Sequence, residues 1–204
     1  MWQDHGWVRE FLLTNFHRID AHAFRSGQPS PRHLRHYIPR YGIRSVVNLR
    51  GEEPGNPMLA LERATCAELG VALHTLKLHS RDLPRPEALH AVHDLLPLLE
   101  YPTWFHCKSG ADRAGLMATL YLHWMRGIAL EQTHQLRLWP YFHYRYAKTG
   151  RLDYFFAAYL ADQRIHPCSL LEWIDTRYAR DTLKQQFKPT PLFDVLIDRL
   201  LRRE

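Results

Sequence analysis

Between residues 30 and 126 the chain alternates between two hydrophobic rhythms. Leu34, Tyr37, Ile38 and Tyr41 recur at helical spacing behind Ser30-Pro31, an N-cap candidate followed by proline at the first helical position. Pro39 interrupts this pattern and Gly42 closes it. Ile43 to Leu49 reads as a strand, Gly51 to Pro57 as a loop, and Met58 to Leu69 as a helix stopped by Gly70. Val71 to Leu78 alternates in the manner of a strand, and His79 to Arg85 is a polar loop. Pro86 opens a helix through about Leu99, and Thr103 to Cys107 is a short apolar strand. Ala114 to Arg126 is apolar nearly all round, which predicts a helix buried at the centre of the fold.

Strands that alternate with helices predict βαβ units: an α/β fold with a central, mostly parallel sheet flanked by helices. Further helices are expected at about 130–138, 152–163, 170–178 and 191–203, punctuated by Pro140, Pro167, Pro189 and Pro191. Trp2, Trp7, Val8, Phe11, Leu12 and Phe16 make a ragged helical face ahead of all this. The expected organisation is an N-terminal arm over 1–20, an α/β domain over 21–138, and a helical extension over 139–204 packed on the same domain. The arm is read as docked on the body, with a membrane surface as the alternative.

Composition narrows the class. A chain of 204 residues, 46% apolar, can bury a core without disulfides or metals. The odd count of cysteines (Cys66, Cys107, Cys168) is no disulfide framework, and no zinc-ligand spacing occurs, so no metal and no cofactor is expected. No apolar run nears the ~18–20 residues of a membrane span, and the first residues lack the basic region of a signal peptide. A cytoplasmic protein is expected, with the inner face of a membrane within reach of the arm. The net charge of +6 favours anionic partners. The basic residues are scattered, so no nucleic acid is expected; a phosphorylated substrate fits as well.

The stretch that carries chemistry is His106-Cys107-Lys108-Ser109-Gly110-Ala111-Asp112-Arg113-Ala114-Gly115, between an apolar strand and a buried helix. Ligands of α/β sheets bind beyond the carboxyl ends of strands. A loop from Cys107 to Arg113 can turn its backbone N–H groups onto one point, at which the next helix aims its positive end. Gly110 permits the tight backbone. An anion the size of phosphate belongs there, and Arg113 can hold two of its oxygens. The same field favours the anionic, nucleophilic form of the Cys107 sulfur. Attack on phosphorus would give a phosphocysteine, later split by water.

This string resembles the signature loop of cysteine-dependent protein tyrosine phosphatases, His-Cys-x-x-Gly-x-x-Arg-[Ser/Thr]-Gly. Arg25-Ser26-Gly27-Gln28-Pro29-Ser30 and Gly42-Ile43-Arg44-Ser45-Val46-Val47-Asn48-Leu49-Arg50 are similar to the opening of small bacterial and atypical dual-specificity phosphatases. The resemblance covers about residues 20–135. It implies Cys107 as nucleophile, Arg113 as phosphate clamp, Lys108, Ser109, Gly110, Ala111 and Asp112 as backbone donors, and His106 as the residue that orients the loop. It also implies a general acid some 25 to 35 residues upstream of the cysteine; Asp82 stands 25 before it. Asp112 competes for that role, as in phosphoinositide-type members, and Asp94 is a weaker candidate. The chain departs from the pattern at Ala114, where the family carries a hydroxyl credited with helping the thiolate leave. Slow breakdown of the phosphoenzyme is therefore expected.

The substrate classes implied are phosphotyrosine or phosphoprotein, and, through Lys108, Asp112 and the net charge, a phospholipid, inositol phosphate or phosphorylated glycolipid. Two rivals stand beside an active phosphatase. One is a pseudophosphatase that binds phosphate with little turnover. The other is a sulfur-transfer or arsenate-reducing enzyme, for which Cys66 and Cys168 offer no resolving motif. Trp139 to Tyr146 is aromatic and basic; it could wall the mouth of the site, contact a lipid, or pack on the C-terminal helices.

Overall fold

The computed structural model describes residues 14–52 and 55–188. Five strands form one sheet: β1 (His17–Arg18), β2 (Ala23–Ser26), β3 (Ser45–Asn48), β4 (Ala72–Thr75) and β5 (Thr103–His106). Their order is β1-β2-β5-β3-β4; β1 and β2 pair antiparallel, and every other pair is parallel. The sheet is mixed but mostly parallel, and the fold is α/β.

Eight α-helices are described: α1 (Pro31–Tyr41), α2 (Pro57–Glu68), α3 (Pro86–Leu95), α4 (Asp112–Arg126), α5 (Leu130–Thr133), α6 (Arg151–Gln163), α7 (Leu170–Thr176) and α8 (Arg180–Gln186). None is long and apolar enough to cross a membrane. Local chemistry sets several boundaries. Ser30 Oγ accepts the His33 amide at the start of α1, and Gly42 ends that helix with a left-handed φ of 61°. Pro39 lies inside α1 without breaking it.

Alternate strand residues serve two cores. Phe24, Val46 and Trp104 pack with Leu34 and Ile38 of α1 and Cys66 of α2 on one face. Ala23, Val47 and Phe105 pack on the other face with α3, α4, α6 and α7, through Leu89, Leu116, Phe155 and Trp173 among others. Residues of β2, β3 and β5 are buried on both faces, as parallel strands covered by helices must be. Cys66 is a buried member of the first core, and burial pushes its thiol up to about 12.

Several expectations are corrected. From residue 14 onward the arm is not helical: β1 adds to the sheet edge, and Phe16 stacks on Tyr37 with ring centroids 4.1 Å apart. The helix expected at 130–138 stops at Thr133, because His134 takes a left-handed φ of 52° and Gln135 turns inward to bond Arg25. The strand expected over Val71 to Leu78 pairs only from Ala72 to Thr75. The helix from Pro86 tightens into a 3₁₀ turn at Leu96–Leu98. The helix expected at 191–203 and most of the arm lie outside the described residues.

Candidate active site

The carboxyl ends of β2, β3, β4 and β5 meet one edge of the sheet, and Cys107 follows β5 there, between β2 and β3. The loop that begins at Cys107 is shaped by what takes its carbonyls. Lys108 O accepts the Gln28 amide at 3.3 Å, and Ser109 O accepts Asn15 Nδ2 at 2.9 Å. Gly110 O and Ala111 O both accept Arg25 Nη2, at 2.7 Å each. A planar peptide points its N–H opposite its C=O. With four successive carbonyls drawn outward, the amides of Ser109, Gly110, Ala111 and Asp112 turn inward. The Gly110 amide donates to Cys107 Sγ at 3.2 Å.

Glycine is required at 110. Its φ is +76°, and a Cβ there would lie 2.5 Å from Gly27 N and from Ser26 C. α4 starts at Asp112, so its positive end and the inward amides face the same point. Arg113, its second residue, is buried, as are Cys107 and Ala114.

Arg25 is fully buried and anchors the loop from behind. It also donates to Gln135 O at 2.7 Å and to Gln135 Oε1 at 3.0 Å, and stacks on Tyr141 at 4.0 Å. Burial depresses its guanidinium to about 10, against the opposing influence of Tyr141, Cys107 and Asp112. It is protonated at neutral pH.

His106 is fully buried, with Nε2 2.5 Å from Glu62 Oε1 of α2. Glu62 Oε2 accepts Asn48 Nδ2 at 2.8 Å and Gln28 Nε2 at 3.3 Å, and Gln28 Oε1 in turn accepts Arg50 Nη1 at 3.0 Å. Burial pushes the Glu62 carboxyl up, but His106, Asn48 and Gln28 more than offset this, and it sits below the usual carboxylate range. The residue ahead of the cysteine is thus fixed by a charged network under the sheet edge.

Asp112 and Asp82 have different surroundings. Asp112 is buried, with Oδ1 2.8 Å from His143 Nδ1; His143 Nε2 is 2.6 Å from Asp153 Oδ2. Burial pulls the His143 imidazole down, yet the two carboxylates raise it to about 9, so it is an imidazolium at neutral pH. Asp82 lies on the 79–85 loop, where Oδ2 is 2.7 Å from Arg180 Nη2 and 3.0 Å from Lys184 Nζ of α8. Burial raises its carboxyl, and these cations with the Leu83 amide lower it further, to a net position below the ordinary range. Burial, then Arg85 and Lys77, hold the His79 imidazole of this loop below its ordinary value. The loop follows β4, whose carboxyl end lies at the same sheet edge as that of β5. Asp94 sits on α3 beside His93 and joins neither group.

His106 ends β5, Cys107, Lys108, Ser109, Gly110 and Ala111 form the loop, and Asp112 and Arg113 open α4, with Asp82 on the loop that follows β4. Arg25, Glu62, His143 and Asp153 were not singled out from sequence. Glu62 had a signal: it sits with Leu59, Thr65 and Cys66 on the buried face of α2, where a carboxylate needs a partner.

Among solved structures, the chain is similar to TpbA of P. aeruginosa, at 18% identity and TM-score 0.56, over 71% of this chain and 84% of that one. It is similar to PTPMT1 in complex with PI(5)P, at 19% identity and TM-score 0.54, over 72% and 97%. It is similar to the core catalytic domain of the PP-IP phosphatase SIW14 of S. cerevisiae, at 17% identity and TM-score 0.54, over 76% and 96%. One of these neighbours is named as a phosphatase, and the chain has the fold they share. No protein-family model and no curated protein matches the sequence.

Proposed function

We propose that the chain hydrolyses phosphate monoesters through a phosphocysteine on Cys107, in the cytoplasm and without a metal or cofactor. The observation that carries this reading is the outward turn of four successive loop carbonyls, which leaves a nest of amides over a buried sulfur at a strand end. The thiolate attacks phosphorus while the bond to the leaving oxygen breaks, and that oxygen takes a proton from Asp82. Asp82 then accepts a proton from the water that attacks phosphorus. The S–P bond breaks, releasing phosphate and the thiolate. Arg113 and the loop amides neutralise the equatorial oxygens throughout.

Arg180 and Lys184 hold Asp82 as a carboxylate at rest, the form the second step needs. An arriving phosphate dianion adds negative charge nearby and raises that carboxyl toward the acid form the first step needs. Asp112, tied to His143, is the alternative acid. The substrate classes are phosphotyrosine or phosphoprotein, phospholipid, inositol phosphate and phosphorylated glycolipid. A PI(5)P complex of one neighbour and the PP-IP phosphatase activity of another support the lipid and inositol end of that range.

A second reading, a phosphate-binding module with weak turnover, is favoured by two observations. Ala114 supplies no hydroxyl after Arg113, and Asp82 is held by two cations. The test is release of phosphate from a generic aryl phosphate over pH 4–8 in the presence of a chelator, beside Cys107→Ser. Release by the wild type that is lost in the variant supports the hydrolase. No release, with inorganic phosphate or vanadate still raising the melting temperature, selects the binding module.

A further inference from the structure

The loop from Arg137 to His143 is closed at its base by two backbone bonds, Phe142 N to Leu138 O at 2.7 Å and His143 N to Arg137 O at 3.0 Å. It is tied to the active site at two further points. Tyr141 O accepts Asn15 Nδ2, which also holds Ser109 O, and His143 is locked between Asp112 and Asp153. Phe142 has a φ of 61°, a conformation that costs a bulky residue energy and persists where surrounding contacts impose it.

This firmly held loop directs its tip outward. Trp139 is 78% exposed, the most exposed large hydrophobic side chain among the described residues, and Leu138 is 54% exposed. Tyr146 follows at 60%. Leu98 and Ile165, elsewhere, are as exposed but stand singly. Along the segment the charge has one sign. Arg137, Arg145 and Lys148 are exposed, and no acidic residue occurs from 137 to 148.

We propose that the 137–148 segment is a docking surface for an anionic lipid bilayer. Tryptophan and tyrosine settle at the level of the headgroups, where a ring is half apolar and half wet. Arginine and lysine beside them are attracted to anionic headgroups at about 1 kcal/mol per basic residue near the surface. Trp139 is two residues along the chain from Tyr141, whose carbonyl shares the Asn15 amide with Ser109, so a bilayer docked this way lies beside the loop of Cys107. The substrate is then a phosphate carried by a lipid headgroup, a step that rests on the phosphatase reading. The surface itself does not.

The test is co-sedimentation with vesicles of phosphatidylcholine, alone or mixed with phosphatidylglycerol, with aryl phosphate hydrolysis measured in parallel. Wild type is expected to sediment with the anionic vesicles and to be released by salt. Trp139→Ala is expected to weaken binding about tenfold, and Arg137→Glu with Arg145→Glu to remove its salt dependence, while hydrolysis of the soluble ester stays unchanged. Absence of binding by the wild type overturns the proposal, as does binding that survives both changes. Self-association without vesicles that Trp139→Ala dissolves also overturns it, by assigning the loop to a protein partner. Vesicle binding with no ester hydrolysis would instead reject the phosphatase reading and leave the surface standing.

Discussion

Two loops leave the same edge of the sheet, and they are held by different means. The Cys107–Arg113 loop is held from inside the core: a buried arginine takes two of its carbonyls, and a buried histidine and glutamate fix the strand end before it. The 79–85 loop is held from outside by the C-terminal helices. Arg151 donates to Arg81 O at 2.6 Å, Arg180 Nε to Leu83 O at 3.1 Å, and Tyr178 to Pro84 O at 2.8 Å, while Arg180 and Lys184 pair with Asp82. Geometry at the candidate nucleophile is therefore inseparable from folding. Geometry at the candidate acid is an attachment, supplied by residues some 70 to 100 positions further along the chain.

The contrast can be broken most forcefully at Arg25. Arg25→Ala leaves three buried carbonyls without this donor, at roughly 1–3 kcal/mol each, so a loss of at least about 3 kcal/mol is expected in urea denaturation. An unchanged midpoint would show that the loop holds itself. His143 comes next. It is charged in the folded chain up to about pH 9 and titrates near 6.5 as a free imidazole. Its contribution is thus full below pH 6.5 and is lost as pH rises through about 9, on the order of 3 kcal/mol. Denaturation midpoints at pH 6 and pH 9 should show this fall in the wild type and lack it in His143→Gln.

On the other loop, effects should move from stability to rate. Asp82→Asn is expected to lower kcat on alkyl phosphates by roughly 10²–10³-fold and to change stability by less than about 1 kcal/mol, since its pairs are partly exposed. Equal losses on both loops would remove the distinction. The smallest change is expected from Lys184→Ala. With one cation gone, the Asp82 carboxyl rises toward its ordinary range, and the base-side limb of the pH profile of kcat/KM, set by the acid of the first step, shifts to higher pH.

The parts legible in the sequence are those with a local signal. α1 announces itself by Ser30-Pro31 and Gly42, α4 by its apolar length, and the Cys107 loop by Gly110 and the spacing to Arg113. β1 and β2 gave no periodic signal: β1 has two residues, and all four of Ala23–Ser26 are buried, so no alternation shows and nothing local marks Arg25 as a buried anchor. The partners of Asp82 sit on α8, a helix of seven residues with no side-chain cap and no buried face. His143 read as one polar residue in an aromatic run, because only tertiary structure brings Asp112 and Asp153 to its two nitrogens.

The position of β5 bears on the order of assembly. β2 and β3 form no hydrogen bonds with each other; each is paired to β5, which is the last of the five in the chain. Until residues 103–106 arrive, β1–β2 and β3–β4 are two separate ribbons with a gap between them. A nascent chain that ends short of β5 has no closed sheet and no seat for the thiol. Pairing of β5 is thus the event that joins the halves, and the Cys107 loop that follows it is ordered only once bonds that close long chain loops have formed.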